Sequence, residues 1–228
     1  MGVLRVLVLL GVMAVLGVRP ATAADNALTE EEKAQGWRLL FDGKTLNGWV
    51  PVGKPEAFAV VDGTLYCNGK GGHLIRTTER FKDFVLSVDF KISKGANSGI
   101  FVHWSDLNDW LHKSIEVQIL DSYGKPPSRQ GCASVYEYLA PSKNMCKPAG
   151  EWNTMVITCR GKMLTVEHNG EKVCEVDRDL WTTPHRNPDG STNKFNYALK
   201  DLPREGYIAL QDHGHEIWFR NIKIKPLP

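Results

Sequence analysis

Polar side chains at alternate positions of two predicted strands are the strongest candidates for chemistry in this chain. In SIEVQIL, Glu116 and Gln118 are two residues apart, and in YIALQDH, Gln211 and His213 have the same spacing. Alternate residues of a strand point to one face of a sheet, so each pair lies opposite its aliphatic neighbours. A solvated sheet face usually carries Lys, Thr and Glu. The amide, carboxylate and imidazole groups of these four residues therefore favour a ligand-binding surface over a sheet face that is simply exposed to solvent.

A third predicted strand and several aromatic residues extend this surface. Asn97 and Ser98 enter a strand that we expect to deliver Phe101 and His103 to the same side. Aromatic walls with a few placed polar groups suit sugars, which have flat apolar faces and hydroxyl edges. The sequence therefore predicts a carbohydrate site rimmed by Trp104, Trp110, Tyr123 and Tyr136.

A metal ion is an open alternative at this surface. The segment DHGH, residues 212–215, places two histidines close together. His213 could join Glu116 or His103 in binding one divalent metal ion, but no ligand-spacing motif supports such a site. His215 follows a glycine and fits a loop cap equally well.

The carboxylates do not match an ordinary glycosidase, which uses two carboxyl groups about 5 to 9.5 Å apart. Glu116 and Asp121 would be about 16 Å apart on one strand at roughly 3.3 Å per residue, and they point to opposite faces. Asp212 shares a face with Ile208 and Leu210, away from Glu116. The chain also has no GxSxG motif and no P-loop.

The elements that must position these groups are short strands. In FVLSVDFKI every second residue from Phe84 to Ile92 is apolar and shares one face, and Asn169-Gly170 is a favoured turn between two further alternating segments. Because no helical segments alternate with these strands, the pattern predicts an all-β jelly roll of two packed antiparallel sheets. Three segments break the alternation, and we expect them to wall a groove on one sheet: residues 104–113, 121–150 and 177–205.

The N-terminal residues resemble an export signal. Arg5 precedes an apolar run of 13 residues from Val6 to Val18, and Ala21-Thr22-Ala23 fits a signal-peptidase site with cleavage before Ala24. The run is short for a membrane span, so a retained anchor is the weaker alternative. We therefore predict a signal peptide at residues 1–23 and a secreted or periplasmic protein, with no membrane association after cleavage.

Composition limits the partners and the organisation of the mature chain. Removing residues 1–23 lowers Lys+Arg from 28 to 26, equal to the 26 Asp+Glu, so the formal charge is zero. Nucleic acid is therefore an unexpected partner, because its recognition needs a basic face. Residues 24–35 are predicted to be a lead-in with a helical turn, and residues 36–228 one domain. The sequence does not indicate the oligomeric state.

Five cysteines lie in the mature chain, and an odd number leaves at least one thiol unpaired within it. Export would expose them to oxidising conditions. Cys132 and Cys146 share one long segment, so we predict a disulfide between them, with buried free thiols as the alternative.

Six motifs in order resemble the 3-keto-disaccharide hydrolase domain family over about residues 36–227: FDGKTLNGW, GANSGIFVHW, IEVQILD, KPAGEWN, EHNG and GYIALQDHGHEIWFRNIKIKPL. The resemblance implies an exported, concanavalin A-like jelly roll that acts on sugars oxidised at the third carbon. It maps the family's sheet residues to Asn97, Ser98, Glu116, Gln118, Gln211 and His213. Where family members often have Arg in SGIFVR, this chain has His103, which offers no bidentate fork.

The implied activity needs one base instead of a carboxylate pair. A ketone at C3 acidifies the hydrogen on C2, so a base can remove it, the aglycone can leave from C1, and water can add back. His213 or Glu116 could be the base, while Gln118, Gln211, Asn97 or a cation could hold the enolate. Two other classes fit the same fold, namely a non-catalytic carbohydrate-binding module and an interaction domain of the cell envelope.

Overall fold

The computed structural model describes residues 25–228, and the predicted signal peptide lies outside them. The described chain is almost entirely β, with one α-helix, α1 (Glu30–Ala34), in the predicted lead-in segment. Short 3-10 helices lie at Pro55–Ala57, Arg178–Leu180 and Leu199–Asp201. The strands are β1 (Arg38–Leu39), β2 (Trp49–Val52), β3 (Phe58–Val61), β4 (Thr64–Asn68), β5 (His73–Thr77), β6 (Phe84–Ile92), β7 (Asn97–Trp104), β8 (Ile115–Leu120), β9 (Asn153–Arg160), β10 (Met163–His168), β11 (Glu171–Asp177), β12 (Tyr207–Asp212) and β13 (Glu216–Pro226).

The strands form two antiparallel sheets. The larger sheet has eight strands in the order β11-β10-β9-β6-β13-β4-β3, with β1 paired to β13. The smaller sheet has five strands in the order β2-β5-β12-β7-β8. This arrangement confirms the predicted all-β jelly-roll sandwich. Because β12 and β13 are consecutive, the hairpin-like turn between them links the two sheets.

The core lies between the sheets, where the predicted strand faces meet. The alternate apolar residues of β6 are all fully buried in it, as are Ile115, Val117 and Ile119 of β8. Ile208 and Leu210 of β12 lie in the same core. This burial pattern confirms the predicted strand faces. Glu116, Gln118 and Gln211 therefore lie on the opposite side of the five-stranded sheet, away from the core.

The predicted disulfide is absent from the structure. All five cysteines are free thiols and all are buried. The thiols of Cys132 and Cys146 are close enough to hydrogen-bond each other, so the proximity that motivated the prediction is present without the covalent bond. Cys146 Sγ also lies 3.6 Å from the carbonyl oxygen of Leu120. The two thiols therefore serve as small packed side chains.

No helix between residues 25 and 228 has the length and apolar character needed to cross a bilayer.

Candidate functional site

A small polar pocket lies on the face of the five-stranded sheet that is turned away from the core. Its cavity volume is about 60 Å³, which accommodates part of one sugar ring and leaves the rest of a ligand outside. Strands β7, β8 and β12 form its floor. The lining residues are Asn97, Trp110, Leu111, Glu116, Gln118, Tyr136, Lys194, Gln211 and His213.

Glu116 occupies the floor of this pocket because β8 pairs with β7. Phe101 is opposite Glu116 in the register, and Gly99 is opposite Gln118. Gly99 leaves room for the Glu116 carboxylate, since a methyl group at that position would overlap Oε1. A side chain at position 99 would therefore displace the carboxylate.

The Glu116 carboxyl titrates far from its usual range. The side chain is 9% exposed. Burial raises the pKa of Glu116 to about 8, and the positive charge of Lys194 partly opposes that rise. A carboxyl with a pKa near neutrality can accept and return a proton at physiological pH, which is what general acid–base catalysis needs.

Gln118 orients the Glu116 carboxyl. With its amide assigned from the hydrogen-bond network, Gln118 Nε2 donates to Glu116 Oε1 at 3.1 Å and to the carbonyl oxygen of Ser98 at 2.9 Å. Asn97, at the start of β7, lies beside the Gln118 amide and completes this corner of the pocket.

Gln211 and His213 line the side of the pocket opposite Gln118 and Asn97. Gln211 is buried, and its Oε1 has no hydrogen-bond partner in the described structure. A buried acceptor without a partner is costly, so this oxygen is suited to accept a bond from a ligand hydroxyl. His213 follows the last residue of β12 and is exposed at the mouth of the pocket.

Each of the three long segments contributes to the pocket wall, as predicted. Trp110 and Leu111 come from residues 104–113, and Tyr136 comes from residues 121–150. The indole of Trp110 packs edge-on against Phe101 at 5.6 Å between ring centroids and remains 37% exposed. Tyr136 is fixed by its backbone N–H, which donates to the carbonyl oxygen of Glu116 at 2.9 Å.

Lys194 lines the pocket but was not among the residues predicted from sequence. It belongs to residues 177–205, which have no periodic pattern to indicate where a side chain points. The only sequence signal was the expectation that this segment walls the groove. The pocket therefore has a cation that strand alternation could not reveal.

The placement predicted for Ser98 is wrong. Ser98 is fully buried, and its hydroxyl donates to the backbone carbonyl oxygen of Gln211 at 2.7 Å. Adjacent strand residues point to opposite faces, so Asn97 and Ser98 cannot both reach the pocket. Ser98 instead ties β7 to β12 from the core side.

The placement predicted for His103 is also wrong. The register of β7 against β12 shifts between Tyr207 and Ala209, and His103 has a φ of +53°. This bulge turns the imidazole into the core, where Nε2 lies 2.7 Å from the carbonyl oxygen of Lys82 and Nδ1 lies 3.3 Å from a guanidinium nitrogen of Arg178. Burial lowers the pKa of His103 to about 4, so the ring is neutral.

Two of the four predicted rim aromatics do not line the pocket. Trp104 is fully buried in a small apolar cluster with Leu74, Phe101 and Ala209, and its indole N–H donates to the carbonyl oxygen of Asp106 at 2.6 Å. Trp104 is therefore not available to stack on a sugar. Tyr123 is 59% exposed but lies outside the pocket lining.

Glu116 is the only carboxyl group among the nine lining residues. Asp212 is fully buried, and its Oδ1 accepts from the backbone N–H groups of Gly71 and Gly214 at 3.2 and 2.9 Å. Asp121 accepts from the N–H of Gly95 at 2.8 Å. Both aspartates therefore fix loops and do not pair with Glu116.

Within residues 25–228, no three His, Cys, Asp or Glu side chains are grouped so that they could hold a metal ion. Glu116 and His213, the pair considered for a divalent metal ion, line the pocket together. The other candidate ligand, His103, faces the core.

Two comparisons by sequence place the chain among sugar-active proteins. Residues 36–225 match the family model described as a 3-keto-alpha-glucoside-1,2-lyase-like domain. The chain is 33% identical to a 3-keto-disaccharide hydrolase from Bacteroides thetaiotaomicron, over 85% of this chain and 79% of that protein.

Two solved structures from Parabacteroides distasonis are similar in fold and sequence, and both are provisionally named glycosyl hydrolases. The first has a TM-score of 0.75 at 37% identity and covers 84% of this chain and 99% of its own. The second has a TM-score of 0.77 at 28% identity and covers 90% of this chain and 100% of its own.

Proposed function

Because this chain belongs to the 3-keto-alpha-glucoside-1,2-lyase-like domain family, we propose that it cleaves the glycosidic bond of 3-keto-glycosides or 3-keto-disaccharides. At the coarser level the protein is a carbohydrate-active hydrolase. The finer proposal is elimination across C1 and C2 of the oxidised sugar, followed by addition of water.

One observation carries this proposal: a single buried carboxyl group, Glu116, with a pKa of about 8, lines the pocket. Ordinary glycoside hydrolysis uses two carboxyl groups flanking the scissile bond. The lining residues supply only one. Elimination from a 3-keto sugar needs one base with a pKa near neutrality, which matches Glu116.

The first step is removal of the C2 proton. The ionised carboxylate of Glu116 takes this proton, the C2–H electron pair forms a C2–C3 double bond, and the carbonyl electrons move to O3. The product is an enolate with its negative charge on O3. The Gln118 amide keeps the carboxylate pointing at the substrate.

The enolate then expels the aglycone. Electrons return from O3 to reform the C3 carbonyl, a C1–C2 double bond forms, and the C1–O bond breaks. His213, exposed at the mouth, gives a proton to the departing oxygen and later takes one from water as it adds to C1. Glu116 returns its proton to C2, so the net reaction is hydrolysis.

The remaining lining residues would bind the sugar. Gln211 Oε1 accepts from a hydroxyl group, and Asn97 is placed to bond another. Trp110 and Tyr136 offer aromatic surface to the apolar face of the ring. In this proposal the substrate is a small carbohydrate.

The substrate class is tested by incubating the purified protein with p-nitrophenyl 3-keto-glucoside and with unoxidised p-nitrophenyl glucoside. We expect release of nitrophenol from the keto sugar alone, because only the C3 ketone acidifies C2. Cleavage of both at similar rates would contradict elimination. Binding of the keto sugar without any turnover would favour the non-catalytic carbohydrate-binding module.

We also propose that the protein is exported to the periplasm or beyond, on the basis of the apolar run at Val6–Val18 and the Ala21-Thr22-Ala23 site. N-terminal sequencing of protein recovered from the native compartment should begin at Ala24. Intact Met1 on soluble cytoplasmic protein would contradict export.

A further inference from the structure

We propose that Lys194 stabilises the negative charge that develops on O3 of the keto sugar, and so acts as the electrostatic partner of Glu116. Lys194 has this role only if the elimination proposed above is correct.

The Lys194 side chain lines the pocket. Its Nζ is 4.3 Å from the centroid of the Tyr136 ring, and both residues line the cavity with Glu116. The ammonium is near enough to Glu116 for its charge to act on the carboxyl. In the substrate, C3 is bonded to C2, so an oxygen on C3 lies within reach of the same cation when Glu116 faces the C2 hydrogen.

Buried amides hold the segment that carries Lys194 in one conformation. The neighbouring Asn193 is buried, donates through Nδ2 to Asn187 Oδ1 at 3.0 Å, and accepts from the N–H of Phe195 at 3.0 Å. Trp181 Nε1 donates to the same Asn187 oxygen at 2.9 Å.

The residue on the other side of Lys194 is also anchored. The ring of Phe195 stacks on Tyr138 with 4.5 Å between centroids, and both side chains are buried. Lys194 itself is exposed, and its chain neighbours Asn193 and Phe195 are buried anchors on either side of it. A flexible side chain on a fixed backbone can follow the charge as it moves onto O3.

The other polar groups of the pocket are less suited to this role. The Gln118 nitrogen is occupied by Glu116 and the carbonyl oxygen of Ser98. His213 and Lys194 are the lining side chains that can carry positive charge, and His213 is assigned above to the leaving group. Lys194 therefore supplies the charge for the enolate. It neither gains nor loses a proton when the C2–H bond breaks, because the proton goes to Glu116.

The test compares Lys194→Met and Lys194→Arg with wild type. Two measurements are made: turnover of p-nitrophenyl 3-keto-glucoside, and exchange of the C2 hydrogen of 3-keto-1,5-anhydroglucitol in D2O followed by NMR. The second compound has no aglycone to expel, so exchange of its C2 hydrogen reports enolate formation without glycosidic cleavage. We expect Lys194→Met to slow both by about a hundred- to a thousandfold, as loss of one oxyanion-stabilising group does. Lys194→Arg should retain most of the rate.

A second readout separates electrostatics from a structural role. The Lys194 charge lowers the pKa of Glu116, so Lys194→Met should move the acidic limb of the pH–rate profile to higher pH. The matched control is Lys200→Met, an exposed lysine of the same segment that does not line the pocket, and it should leave the rates and the profile unchanged.

The outcomes are distinguishable. If wild type cleaves the glycoside and exchanges C2–H while folded Lys194→Met does both equally well, Lys194 has no such role and the proposed function stands. If wild type neither cleaves nor exchanges, the proposed function fails and the role of Lys194 fails with it. Equal losses of turnover and of C2–H exchange in Lys194→Met and Lys200→Met would also overturn the role proposed for Lys194.

Discussion

Glu116→Gln is expected to lower the rate of 3-keto-glucoside cleavage by about a hundredfold to ten-thousandfold, the range for loss of a general base. The glutamine amide cannot take the C2 proton, although it has nearly the same shape and can remain beside Gln118. Sugar binding should change far less, because Gln211, Trp110 and Tyr136 are untouched. The measurement is kcat and KM with p-nitrophenyl 3-keto-glucoside.

The wild-type pH profile tests the same assignment. With a pKa of about 8, Glu116 is mostly protonated at pH 7 and cannot act as a base in that form. We therefore expect kcat/KM for p-nitrophenyl 3-keto-glucoside, whose nitrophenolate leaves without needing a proton from His213, to rise about tenfold per pH unit below pH 8 and to level off above it. A rate that falls as pH rises through 8 would instead assign Glu116 as a proton donor in the limiting step.

The stability of Glu116→Gln separates lost chemistry from lost folding. The native pKa of Glu116 is above the 4.5 of an exposed carboxyl, so the native state binds more protons than the unfolded state between these values. The wild-type free energy of unfolding therefore falls as pH rises through this window, by up to about 1.4 kcal/mol per pH unit. Glutamine does not titrate, so the variant should be the more stable protein at pH 9.

Urea unfolding at pH 5 and pH 9 measures this difference. The matched control is Glu137→Gln, which changes a carboxyl next to Tyr136 that does not line the pocket. It should leave turnover unchanged. Near wild-type turnover in a folded Glu116→Gln would remove Glu116 from the mechanism.

Arg178→Met is expected to cause the largest loss of stability. Arg178 is 1% exposed, and its Nη2 donates to the carbonyl oxygens of Leu202 and Pro203 at 2.7 and 3.2 Å. Its Nη1 faces His103 Nδ1. Methionine fills much of the volume but leaves these buried acceptors without donors. We expect a loss of about 3 kcal/mol or more in the free energy of unfolding.

A loss of that size corresponds to a fall in Tm of roughly 6 to 12 °C for a domain of this size. The matched control is Arg160→Met, an exposed arginine at the end of β9, and it should change the free energy of unfolding by less than about 0.5 kcal/mol. Equal melting temperatures for the two variants would show that the buried guanidinium contributes nothing to stability.

The sequence predicted the fold well wherever a strand had one buried face. FVLSVDFKI and SIEVQIL alternate except at Val85 and Leu120, and the structure buries their other apolar residues between the sheets. Asn169 and Gly170 both have positive φ, as their favoured turn requires. These features follow from local physics, because the side-chain period of a strand and the φ preference of a turn do not depend on distant residues.

The functional site was only partly predictable, because contacts between residues distant in sequence position some of its side chains. His103 is turned into the core by a bulge, and Gly206 lies so close to the His103–Trp104 backbone that a methyl group there would overlap it. Nothing in NSGIFVHW signals that contact, since the partner residue is distant in sequence. The position of Lys194 likewise depends on buried amide side chains of an irregular loop. Ser98 was predictable, because strand parity alone separates it from Asn97.

The order of strands has a consequence for how the chain folds. The central strand of the five-stranded sheet is β12, and β13 lies inside the larger sheet between β6 and β4. Both come from residues 207–226, after the rest of the domain. Neither sheet can close until these residues are made, and the pairings they form span long stretches of sequence. Such non-local pairing slows folding, so we expect the two sheets to assemble only after the C-terminal strands are available.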